Sequence, residues 1–100
     1  MSDDSDPVSK IQALEGEIKE KTRDYPAKEK NTYAGVCNAL FMARNSYVTE
    51  HFNKNVMLGC LNIAKKTVKK MSNGYFEYQK FHNYVLEEIE GIEKTVAASS

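Results

Sequence analysis

Two cysteines, two histidines and a cluster of lysines are the residues of this chain with the most obvious chemical potential. Cys37 and Cys60 both sit in apolar helical stretches, and two thiols are too few for a disulfide scaffold. They read as buried free thiols acting as small hydrophobes. A bridge between them is geometrically open but is not needed in a reducing compartment. His51 and His82 are far apart in sequence and neither has a ligand-type partner at i, i+4. His82 precedes Leu86 by one helical turn and reads as a residue at the edge of the core stripe. Metal and acid–base sites need clustered ligands or paired groups, and no such cluster is legible. No glycine-rich loop leads into a helix with Lys-Ser/Thr, so no phosphate cradle is seen. The carboxylates read as solvated helix faces. The sequence therefore predicts no catalytic residue, no metal ligand, no cofactor and no small-molecule substrate.

The segment Asn73-Gly74-Tyr75-Phe76-Glu77-Tyr78-Gln79-Lys80-Phe81 has the outline of half an EF-hand loop. With Gly74 at the loop's invariant glycine, Lys69 and Lys80 occupy the first and last ligand positions, and Met71 occupies another. Calcium needs anionic oxygen there. The calcium reading fails on charge, and the segment reads as a corner between two helices.

The lysines are the sharpest feature. Lys54, Lys65, Lys66, Lys69 and Lys70 fall in a stretch, residues 51–74, that contains no acid. The following stretch is acidic, with Glu77, Glu87, Glu88, Glu90 and Glu93 against Lys80 and Lys94, and the first thirty residues are mildly acidic. The overall net charge of zero, from 14 bases and 14 acids, thus hides segregation. Such a face would suit an anionic partner: RNA, DNA, an acidic peptide or a phosphoinositide head group. The plainer reading is a solvated face that complements the chain's own acidic fourth helix. Nucleic-acid modules usually add arginine, glycine or exposed aromatics, and this chain has only Arg23 and Arg44.

Four helical elements must position these residues. Asp6-Pro7 starts the first helix, since Asp caps and Pro suits the first turn. Val8, Ile11, Leu14, Ile18 and Tyr25 form a narrow seam, and Pro26 ends the helix. The second runs from near Pro26 to about Glu50. Its apolar set of Tyr33, Val36, Cys37, Leu40, Phe41, Ala43, Tyr47 and Val48 spans more than one face, and Arg44-Asn45-Ser46 marks an interruption. After a connection through His51-Phe52-Asn53-Lys54-Asn55, with Asn55 a candidate cap, the third runs from about Val56 to Met71. Met57, Cys60, Leu61, Ala64, Val68 and Met71 share one arc, which Val56, Ile63 and Thr67 widen. Ser72-Asn73-Gly74 is a helix stop. The fourth runs from about Phe76 to Val96, with Tyr78, Phe81, Val85, Ile89, Ile92 and Val96 inward.

The predicted fold is all-α: a small antiparallel four-helix bundle, or a three-helix core with the N-terminal helix docked on it. Residues 1–5 are expected to be a disordered acidic N-terminus, 6–97 one helical-bundle domain and 98–100 a frayed tail. A chain of 100 residues, 41% hydrophobic and 28% charged, fits one globular domain and not a disordered one. No stretch approaches the roughly 20 apolar residues of a membrane span, and the polar start is unlike a signal peptide. An intracellular location, cytoplasmic or nuclear, is expected.

The stretches Leu61-Asn62-Ile63-Ala64-Lys65-Lys66 and Phe81-His82-Asn83-Tyr84-Val85 resemble the C-terminal helical domain shared by the COPII outer-coat protein and the steroid receptor RNA activator protein. That resemblance implies a helical bundle acting as a scaffold. It covers a minor part of the chain, has no diagnostic motif, and lacks the family's final helix.

The functional expectation is a non-enzymatic protein-interaction module, an adaptor or small subunit that binds through helix faces to a protein partner or to itself. Its expected partner surface is Ile11, Leu14 and Ile18 on the coiled-coil-like first helix, with the off-stripe Phe76, Tyr84 and Leu86. The alternative is nucleic-acid binding through Lys54, Lys65, Lys66, Lys69 and Lys70.

Overall fold

The computed structural model describes residues 7–48, 54–70 and 76–98, with the side chains of 47, 48, 76 and 77 left out of the description. Four helices make up the described chain: α1 Pro7–Lys21, α2 Ala27–Val48, α3 Lys54–Lys69 and α4 Phe76–Ala98. Each packs on its neighbours in sequence, and α1 closes the ring by packing on α4. The start of α3 lies by the end of α4, where Lys54 Nζ donates to the Ala97 carbonyl. Gly35, early in α2, lies by Thr67, late in α3. Successive helices are thus antiparallel.

Pro7 opens α1 as expected. The helix ends at Lys21, four residues before the position preceding Pro26, because Thr22 intervenes. Its N–H and its hydroxyl both donate to the Ile18 carbonyl, at 2.9 and 2.8 Å. Such side-chain competition loosens a last turn, and the chain reverses through Tyr25 N–H donating to the Thr22 carbonyl. The Pro26 carbonyl then accepts the first bond of α2, from Lys30.

The expected interruption at Arg44-Asn45-Ser46 does not occur. Arg44 is tied across to α1, with Nε donating to Glu15 Oε2 at 2.7 Å, and α2 continues to Val48. Lys54, not Val56, starts α3, so Asn55 lies in its first turn and not at its cap. Ala97 and Ala98 extend α4 beyond the expected end. The acidic start at 1–6, the connection at 49–53, the stop at 72–74 and the final two serines lie outside the described residues.

The core runs along the bundle axis and draws on all four helices. The contribution of α1 is Ile11, Leu14 and Ile18, each at most 1% exposed. This decides for a four-helix bundle over a three-helix core with a docked helix. It also corrects one expectation: these three residues are not a partner surface. The seam of α1 packs on α2 and α4, and what it meets is this chain's own interior.

Candidate partner-binding face

The fold divides the five lysines. Lys65 Nζ lies 2.8 Å from Glu93 Oε1, so the acidic fourth helix does meet the basic third one. Lys54 is turned to the C-terminal carbonyl of Ala97, one of the acceptors a helix end leaves open. Lys66, Lys69 and Lys70 are exposed and have no ion-pair partner among the described residues.

Of the remaining expected surface residues, Tyr84 is exposed. Leu86 is half-buried and packs on the core. The Tyr84 hydroxyl donates to both carboxylate oxygens of Glu17, at 2.8 and 2.9 Å. This bond to a carboxylate pushes the phenol up to about 12, with some help from burial. Its ring stacks on Phe81 at 6.0 Å. Tyr84 thus clips α4 to α1. The side chain of Phe76 lies outside the described residues. Beside Tyr84, an open groove of about 830 Å³ includes Gly16, Glu17, Glu20, Lys21 and Lys80. Its acids are already engaged, Glu17 by Tyr84 and Glu20 by Arg23.

Further apolar side chains left to solvent lie on α2 and α3. Met42 on α2 and Val56 and Ile63 on α3 are 52, 47 and 56% exposed. The Gly35–Thr67 contact fixes their register. Met42 lies two turns along α2 from Gly35. Ile63, Cys60 and Val56 lie one, two and three turns back along α3 from Thr67. Antiparallel packing therefore lays Met42, Val56 and Ile63 along one outer groove, with half-buried Cys60 between them. Lys66 and Lys70 continue the α3 side of this stripe at three- and four-residue spacing from Ile63.

Sequence reasoning missed these residues. It counted Val56 and Ile63 as widening the buried arc, whereas both side chains are about half-exposed. Phe41, grouped with the α2 core, is also exposed, with the Arg44 guanidinium 4.8 Å from its ring centroid.

The cysteines are free and half-buried, not fully buried. Burial, and secondarily the charge of Glu15, pushes the Cys37 thiol up, the opposite of an activated nucleophile. Among the described residues, no group of three or more His, Cys, Asp or Glu could hold a metal ion, and no helix is long and apolar enough to cross a membrane.

His82 is 1% exposed and belongs to the core, not to its edge. Its Nδ1 lies 2.5 Å from the Tyr33 hydroxyl. Burial holds the phenol protonated, and the imidazole tautomer sets which partner donates. Nε2 is buried with no partner among the described residues. Tyr25, Tyr33, Tyr78 and Phe81 pack around this end of the bundle. Burial lowers the histidine's affinity for a proton, only partly offset by Glu29. The unfolded chain therefore binds that proton more readily, and stability falls as pH drops below about 6.5. The limiting slope from this site is about 1.4 kcal/mol per pH unit. Chemical denaturation between pH 7.5 and 5 should show this loss. His82→Phe should flatten it, and an unchanged slope in that variant would place the effect elsewhere.

No protein-family model, curated protein or solved structure matches the chain.

Proposed function

We propose that this chain is a non-enzymatic protein-interaction module that binds a protein partner through the outer face shared by α2 and α3. One observation carries the reading: Met42, Val56 and Ile63 are about half-exposed, and the Gly35–Thr67 register sets them along one outer face. Removing apolar surface from water is worth about 25 cal/mol per Å². An apolar stripe rimmed by polar and charged groups is the usual mark of a partner site. Three polar pairs elsewhere in the bundle hold the fold together, namely Glu15–Arg44, Glu17–Tyr84 and Tyr33–His82. Two free thiols suit a reducing, intracellular compartment.

The test is stoichiometric capture by the purified full chain. A partner should be retained by the parent protein and by Asn83→Asp, on the opposite side of the bundle, and lost with Ile63→Asp. A captured set that is identical for all three proteins would contradict the proposal.

The exposed Lys66, Lys69 and Lys70 support nucleic-acid binding as a second reading. It requires a steep salt dependence, with a log–log slope of about 0.7–0.9 per phosphate contact. That slope should flatten when the three lysines are replaced by glutamine.

A further inference from the structure

We infer that the partner segment fitting this face is an acidic amphipathic helix, laid along the α2–α3 groove with its carboxylates over Lys66 and Lys70. This rests on the reading of the α2–α3 face as the binding surface. The groove offers no strand edge among the described residues, so augmentation of a sheet is not available and a helix in a groove is the fitting mode. The α3 stripe from Val56 to Lys70 rises about 21 Å, the length of about four helical turns. Its first half is apolar, Val56 and Ile63 opposite Met42, and its second half is basic. An occupant must therefore present apolar anchors at one end and negative charge at the other.

Charge separates this occupant from the alternatives. The stretch 51–74 contains no acid, so the same stretch of a second copy would bring no carboxylate to Lys66 and Lys70. Nucleic acid would use the lysines but leave Met42, Val56 and Ile63 in water. The one nearby arginine, Arg44, is already held by Glu15. A helix bearing both leucine-type anchors and glutamates satisfies both halves. Lys66 and Lys70 have no ion-pair partner among the described residues, so pairing with them breaks no described salt bridge.

The experiment titrates the full-length chain into a fluorescent designed helix of about 18 residues, about 27 Å long. Leucines form one face and glutamates cluster towards one end. A twin replaces every Glu by Gln, and a second twin replaces every Glu by Lys. The glutamate helix should bind, weaken with salt, and exceed the glutamine twin by about tenfold or more, a difference of 1.4 kcal/mol. Ile63→Asp should abolish binding with the circular dichroism unchanged. Lys66→Glu combined with Lys70→Glu should reverse the preference towards the lysine twin.

Equal binding of the glutamate and glutamine helices would overturn the acidic assignment while leaving the α2–α3 face as the binding surface. Equal binding of the glutamate helix by Ile63→Asp would overturn both. Absence of binding to any helix would overturn the inference. So would single-stranded RNA displacing the glutamate helix from the Ile63→Asp variant and the parent alike. Sedimentation as a dimer that Ile63→Asp dissociates would also overturn it, by assigning the groove to a second copy.

Discussion

Leu14→Ala should cost about 2–5 kcal/mol, the range for emptying a buried leucine site. The side chain is 1% exposed and sits between Ile11 and Ile18 in a core shared with three other helices. A domain of this size has about 5–15 kcal/mol in total. Its melting temperature falls by about 4–8 °C for each kcal/mol lost. The variant should therefore melt at least roughly 8 °C lower. Ile63→Ala, on the exposed face, should stay within about 0.5 kcal/mol of the parent. The contrast separates a four-helix core from a three-helix core carrying a loosely docked α1. If Leu14→Ala also stayed within that small margin, α1 would not be part of the folding unit.

The second large effect concerns Glu15 and Arg44. The Arg44 Nε–Glu15 Oε2 bond is 2.7 Å long, and a longer contact of 3.5 Å joins its terminal nitrogen to the other oxygen. The two partners are not equally shielded: the carboxylate side chain is 9% exposed and the arginine 24%. Arg44→Met strands a buried charge, whereas Glu15→Met leaves a guanidinium that can reach water and still cover Phe41. Breaking a fully buried pair costs about 3–5 kcal/mol. Arg44→Met should cost about 2–4 kcal/mol, reduced from that range because this pair is partly wet. Glu15→Met should cost less, and the double methionine variant should recover most of the loss, since an apolar pair leaves no stranded charge. Denaturant melts of the three variants and the parent form a double-mutant cycle. Equal losses for the two single variants would show that Glu15 is solvated in the folded protein.

The helices were legible because each carries one clear inward stripe. Ile11, Leu14 and Ile18 announce a helix at three- and four-residue spacing. What a stripe does not reveal is whose interior it enters, and those three residues were assigned outward to a partner on the narrowness of their seam. The opposite error befell Val56 and Ile63. Periodicity places them at the margin of the α3 arc, but how far an arc is buried depends on how closely the neighbouring helix approaches. That approach belongs to another element, and no reading of α3 alone can supply it. Charge segregation was legible as well. Its division was not, because choosing Lys65 for Glu93 and leaving Lys66 exposed depends on a rotation of α3 fixed by packing. His82 was misplaced for a similar reason. Its partner Tyr33 is 49 residues away in sequence, and a histidine between apolar residues gives no sign that a phenol from another helix will meet it.

The proposed binding surface is the outer α2–α3 face and not the interior or the α1–α4 side. Photo-crosslinking measures this most directly. A photoreactive residue is placed singly at Ile63, at Met42 and at Gln79 in the full-length chain, and each protein is exposed to the same extract. The account predicts one common adduct at Ile63 and Met42, competed by excess unmodified protein and missing at Gln79. Adducts of equal yield at all three positions, or an adduct at Gln79 alone, would contradict it.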